Sequence, residues 1–335
     1  MFPHLIFSIL FASCIFANTQ EVNIYSHRHY DTDKQLYKIF EQQTGIKVNI
    51  VKATANELIK RLESEGKNSP ADLLITSDVA RLYLAQSKDL LQPIHSNILE
   101  TTVPKNLRHK DGYWFALTKR ARVIVYNKEV INPADITNYD SLLKPMFKGK
   151  VLMRNSSNIY NQSLLASMIA NFGEAKAQQW AQGMVDNFAR DPKGNDIDQM
   201  KAVAAGMGDV AIVNTYYLGK LLSSQKFSEV AVGKKMGIVF PNQNSTGTHV
   251  NISGAGVVKY SKNKDNAIKL TEFLVSKEAQ SLFAQANYEY PINKEVEPSK
   301  IIKAWGEFKE DTLPLDQLGL YNEKAVRIFN KVHWK

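Results

Sequence analysis

Extended and helical periodicities alternate along this chain in two sets, and that alternation restricts its fold more than any other feature. The first set opens with a short alternating run from Val22 to Ser26, then a polar segment HRHYDTD, then an amphipathic stretch from Lys34 to Gln43 that stops at Gly45. The order is strand, loop, helix. Ile46 to Val51 gives a second strand, Ala55 to Glu65 a helix with Leu58, Ile59 and Leu62 on one face, and Ala71 to Thr76 an apolar third strand. Strands joined by helical crossovers imply a parallel sheet. A second set begins near Lys150, where KVLMR reads as a strand, NSSNIY as a loop and NQSLLASMIANFG as a helix closed by Gly173. Asp209 to Asn214 is a further buried strand that enters a helix at TYYLGKLL. Two β-branched runs, Leu117 to Asn127 and His249 to Tyr260, lie on either side of a complete α/β unit. The expectation is an α/β chain of two hinged lobes, with those runs as crossover strands and a helical tail from about Pro298.

The first seventeen residues, Met1 to Ala17, contain no Lys, Arg, Asp or Glu and form an apolar run short for a bilayer span. Residues 1–17 are expected to be a secretory signal peptide cleaved after Ala17, which would export the mature chain. The alternative is a lipid anchor on Cys14, to which Phe11, Ile15 and Phe16 are poorly suited. Cys14 is the only cysteine, so cleavage leaves no thiol for a disulfide or a Cys-based metal site. What remains exceeds what one hydrophobic core usually serves, which predicts two domains. The formal net charge of +9 is dispersed among acidic residues without a basic block, so a solvated basic surface is expected and nucleic acid is not a partner.

In open α/β sheets, ligands bind beyond the carboxyl ends of the strands, where loop side chains and helix N-termini meet. Three turns of this kind carry tyrosine: Tyr30 in YSHRHYDTD, Tyr160 in RNSSNIYNQS, and Tyr216 with Tyr217 in AIVNTYYLGK. With Thr215 as the helix cap, residues 216 and 217 would lie about 100° apart and could face one cleft. A single loop tyrosine usually packs its ring and leaves its hydroxyl in water, but four at equivalent turns are harder to explain that way. Phenols ordinarily ionise near pH 10, so they ligate at neutral pH only when a strongly charged cation displaces the proton. Hard oxygen anions of this kind favour ferric iron over ferrous iron or zinc.

The segments YSHRHYDTD, ADLLITSDVARL, WFALTKRARVIVYN, SSNIYNQSLLASMI, GDVAIVNTYYLGKL and NISGAGVVKYSKN together resemble the periplasmic ferric-iron-binding proteins of bacterial ABC transporters, in the tyrosine-rich subgroup that needs no synergistic anion. The resemblance covers nearly the whole mature chain, and the double tyrosine is its most specific element. It implies a class II periplasmic-binding-protein fold whose N-terminal lobe comprises 18–118 plus 250–297 and whose C-terminal lobe comprises 119–249 plus 298–335. It further implies Tyr30, Tyr160, Tyr216 and Tyr217 as phenolate ligands of Fe(III), with His29 the candidate fifth ligand. Water or an anion is the alternative fifth group. Four phenolates around a trivalent ion leave a formal charge of about −1, for which Arg120 is the candidate compensating cation. Where relatives can carry a further arginine after the double tyrosine, this chain has Lys220. The implied partners are ferric iron and an inner-membrane ABC permease, with the protein a monomer. The rival keeps the fold and exchanges the cargo for an organic solute or oxyanion. No G-x-S-x-G, P-loop or dinucleotide fingerprint occurs, so an enzyme is not expected.

Overall fold

The computed structural model describes residues 20–28 and 30–335. The expected signal peptide, Cys14 and His29 lie outside the described residues. The chain starts β1 (Glu21–Ser26), α1 (Asp31–Thr44), β2 (Lys47–Lys52), α2 (Ala55–Glu65), β3 (Leu73–Thr76) and α3 (Val79–Ser87). After α4 (Asn97–Thr102) comes the long strand β4 (Phe115–Asn127). The second set follows as β5 (Val151–Leu152), α5 (Ile159–Phe172), α6 (Glu174–Asp186), α7 (Asp196–Ala204), β6 (Val210–Asn214), α8 (Thr215–Leu222), α9 (Phe227–Lys235) and β7 (Met236–Val239). The chain returns through β8 (Val250–Val257) to α10 (Lys264–Leu274) and α11 (Lys277–Asn287), and ends in α12 (Lys300–Lys303), α13 (Asp316–Leu320) and α14 (Asn322–Lys331). No helix among the described residues is long and apolar enough to cross a membrane.

The strand order is β2-β1-β3-β8-β4-β6-β5, with β7 paired to β4. Pairs joined by helical crossovers are parallel, as the alternation predicts: β1 with β2, β1 with β3, and β5 with β6. The crossover strands break that pattern. β4 runs antiparallel to β8 through its first half and antiparallel to β6 and β7 through its second, so one continuous strand serves two sheet regions. Its side chains divide accordingly. Phe115, Ala116 and Leu117 join a core formed with β1 to β3, α10 and α11. Ala121, Val123 and Val125 face a second core, and Ile124 and Tyr126 a third, both built from 121–250 with the tail. β8 makes the reverse passage, with Val250 in the later cores and Ile252, Ala255 and Val257 in the first. Backbones approach closely at this crossing. A Cβ on Gly254 would stand 2.8 Å from the Phe115 carbonyl oxygen, a distance that only glycine avoids.

The helices form for the reasons the sequence supplies. α2 is closed by a Thr54–Glu57 capping box and buries Leu58, Ile59 and Leu62, the face expected of it. α1 begins at Asp31 rather than Lys34, because Asp31 and Asp33 suit the positive end of a helix as well as they suit a loop. The KVLMR segment narrows to Val151–Leu152. Beyond Pro298 the chain alternates short helices with extended stretches, and α13 packs on both α3 and α5, touching each half of the molecule.

Candidate metal centre

Each tyrosine singled out in the sequence lies at the start of a helix that follows a strand. Tyr30 is the residue immediately before α1, in extended backbone conformation. Tyr160, expected in a loop, lies in the first turn of α5, because the Asn158 side chain caps that helix and accepts the Tyr160 N–H at 3.1 Å. α8 starts one residue earlier than expected. Its N-cap is Asn214, not Thr215, and it makes no side-chain cap hydrogen bond. The Asn214 N–H donates to Asp196 at 2.8 Å and its amide oxygen accepts from Arg122 at 3.3 Å, so it is held from outside the helix. Thr215 is buried, its hydroxyl accepting the Ala121 N–H at 3.4 Å.

The four phenols form one cluster. The Tyr216 hydroxyl donates to the Tyr160 hydroxyl at 3.2 Å and accepts from the Asn214 side-chain amide at 3.4 Å. The Tyr216 ring stands 4.3 Å from that of Tyr217 and 6.4 Å, edge-on, from that of Tyr30. Burial, followed by the neighbouring Tyr160 phenol, pushes Tyr30, Tyr216 and Tyr217 well above the usual phenol range. Without a cation these phenols are neutral at physiological pH. The arrangement favours a ligand that pays for several deprotonations at once, which is what a highly charged metal ion does. Among the described residues, no group of three or more His, Cys, Asp or Glu side chains could hold a metal ion.

Cations surround the cluster. Arg120 places its guanidinium 5.2 Å from the centre of the Tyr160 ring, with Arg154 at 5.7 Å and Arg122 at 5.9 Å. Arg28 lies 4.8 Å from the Tyr30 ring, and the Lys220 ammonium 4.1 Å from Tyr30 and 5.5 Å from Tyr216. Four buried carboxylates hold the arginines. Arg28 pairs with Asp33 and Glu289 at 3.0 Å each, Arg120 with Asp78 at 3.2 Å, and Asp196 bridges Arg122 at 2.7 Å and Arg154 at 3.4 Å. Five cations lie against the rings beside four carboxylate partners, and Arg81 also lines the cleft next to Asp78, so positive charge is in surplus. One nitrogen each of Arg120, Arg122 and Arg154 is buried without a hydrogen-bond partner, which costs stability unless negative charge arrives nearby.

Sequence reasoning singled out Arg120 and noted Lys220, but passed over Arg28, Arg122 and Arg154. The alternation in TKRARV was the available signal: Arg120 and Arg122, two apart on a strand, point to the same face. Arg28 had none, since its partner Glu289 is 261 residues away. The cluster opens onto a cleft of about 770 Å³ lined by His27, Tyr30, Arg154, Tyr160, Tyr217 and Lys220, among others. His27 is held there by the Ser77 hydroxyl at 2.8 Å. Glu57 belongs to the capping box of α2.

Residues 68–304 match the family of bacterial extracellular solute-binding proteins. Iron uptake protein A1 of Synechocystis is 50% identical over 316 residues, 94% of this chain and 88% of that protein. The major ferric iron-binding protein of Neisseria meningitidis serogroup B is 28% identical over 283 residues, 82% of each. Among solved structures, a Trichodesmium IdiA (FutA) protein in complex with iron and citrate superposes with a TM-score of 0.90 at 49% identity, covering 94% of this chain and 100% of that one. The ferric binding protein of Campylobacter jejuni gives 0.90 at 47% identity over the same shares. With the family match spanning most of its length and its sheet shared between two halves through β4 and β8, the chain belongs to the bacterial extracellular solute-binding proteins and has their two-lobed α/β fold.

Proposed function

We propose that this chain is the substrate-binding component of an iron(III) ABC transporter, which takes up ferric iron in the cleft between its lobes and delivers it to an inner-membrane permease. Tyr30, Tyr160, Tyr216 and Tyr217 bind as phenolates, and the fifth position is taken by His29, next to Tyr30 in the sequence, or by water or an anion. The observation that carries this is the convergence of phenols from three separate strand-to-helix turns, with the Tyr216 and Tyr160 hydroxyls 3.2 Å apart. The charge inventory supports it. Four phenolates on a trivalent ion carry about one negative charge, and the cations around the cleft outnumber their carboxylate partners, so the surroundings offset that charge. Arg120 contributes to that balance with Arg28, Arg122, Arg154 and Lys220. The relatives are iron uptake and ferric iron-binding proteins, which supports the same cargo and a periplasmic location.

The lobes that carry these groups are 18–118 plus 250–297 and 119–249 plus 298–335, joined through β4 and β8. Tyr30 belongs to the first and the other three tyrosines to the second, so ligation draws the lobes together and favours the closed form that a permease reads. The protein acts as a monomer. The test is titration with a soluble ferric chelate, followed by visible absorption and metal analysis. A tyrosinate-to-iron charge-transfer band saturating at one equivalent is expected, and each of Tyr216→Phe and Tyr217→Phe should bleach or shift it. A colourless protein without bound iron, or a Tyr216→Phe variant that binds unchanged as an organic-solute site would allow, refutes the proposal.

A further inference from the structure

α8 carries more than the double tyrosine. Its next turn, Gly219–Lys220, lies against the opposite half of the molecule. Glycine within a helix is less favourable than alanine, so its presence there needs a packing reason. The reason is Tyr288, which follows α11: a Cβ on Gly219 would stand 2.6 Å from the Tyr288 Cβ and 2.8 Å from its Cγ. Tyr288 adopts the left-handed conformation, φ 58° and ψ 30°, which an aromatic residue rarely takes up. Its neighbour Glu289 is fixed in turn by the Arg28 guanidinium at 3.0 Å. Gly219 thus lets α8 settle against the Tyr288 side chain at the end of α11.

That approach places Lys220. Its ammonium lies over the Tyr30 ring at 4.1 Å, and both residues line two spaces: the tyrosine cleft and a second hollow of about 500 Å³ bounded by Tyr288, Asn287, Ser223 and Ser224. The Lys220–Tyr30 contact is therefore a wall shared by the two. We propose that the Gly219–Lys220 step, seated on Tyr288 and Tyr30, seals the tyrosine cleft against this second opening and sets how fast a bound metal ion is lost. The inference rests on the iron-binding reading above and assigns to Lys220 a role that depends on the bulk of its side chain as well as on its charge.

Stopped-flow transfer of iron from the loaded protein to an excess of a strong chelator, read at the charge-transfer band, tests it. Lys220→Ala removes the wall and should release iron about tenfold faster than the parent, the factor expected for losing the buried apolar stem of one lysine. Lys220→Met keeps the length and apolar stem of the side chain while removing its charge, and should release iron more slowly than Lys220→Ala. Gly219→Ala, which wedges α8 from Tyr288, should resemble Lys220→Ala, and the two Lys220 variants decide the matter should the wedge prevent folding. Release from Lys220→Ala at the parent rate overturns the seal. So does equal acceleration in Lys220→Ala and Lys220→Met, which would make charge alone responsible. Absence of the band in the parent protein overturns the iron-binding reading itself, and the seal with it.

Discussion

His249 should make the folded protein lose stability in acid, by an amount that follows from its surroundings. It is 4% exposed, just before β8, and burial together with the nearby Arg120 and Arg122 guanidinium groups pushes its imidazole from 6.5 down to about 3. The folded protein keeps this ring neutral, whereas the unfolded chain protonates it near its ordinary value. The unfolded state therefore binds more protons between about pH 6.5 and pH 3, and stability falls as pH is lowered through that window. Above it, His249 contributes nothing to pH dependence. Integrated across the window the loss is about 5 kcal/mol, of which about 2 kcal/mol falls between pH 7 and pH 5. Carboxylates titrate in the same range, so the assay is a double difference. Urea unfolding of the parent and of His249→Asn is measured at both pH values, and the parent should lose about 2 kcal/mol more than the variant on acidification. Equal losses in the two proteins would refute the argument, since they would mean that His249 accepts its proton in the folded state as readily as in the unfolded one.

Three further outcomes are expected. Arg28→Met leaves Asp33 and Glu289 as unpaired buried carboxylates and should cost about 3–5 kcal/mol of stability in denaturant titration, part of which Glu289→Gln in the same chain should restore. Because burial keeps Tyr30, Tyr216 and Tyr217 protonated, ferric iron that they ligate should displace their protons, and apparent affinity should weaken as pH falls, by about three decades per pH unit in competition titrations at fixed free iron. Arg120→Met removes the cation nearest the Tyr160 ring and strands Asp78, so it should weaken iron binding in the same titrations and lower stability without iron by about 3–5 kcal/mol.

The pattern of hydrophobic periods and turn residues was enough to recover most of the elements and the reason for two lobes. The helix at Ala55–Glu65, α5 from Asn161 onward, the parallel pairing of their strands, and the two β-branched crossings were all legible, because each depends on residues a few positions apart. The four tyrosines were legible for a related reason: a βα turn has a fixed place relative to its sheet, so residues at equivalent turns share an end of the fold. The errors were also local. The cap of α8 moved from Thr215 to Asn214 because Asp196 and Arg122, from other elements, hold Asn214.

Of the charge around the tyrosines, only Arg120 and Lys220 were legible. Arg28 meets Glu289 across 261 residues, Arg122 meets Asp196 across 74, and Lys220 lies over Tyr30 from a distant part of the chain. Each of these groups would read as a solvated surface residue in its own segment. The sequence by itself determined which segments become strands and helices and which turns carry oxygen donors, because those properties are set within a few residues. Only the tertiary structure decided which cations balance which carboxylates beside the phenols, because the energy of a buried charge depends on its distance from partners that the chain brings close only by folding.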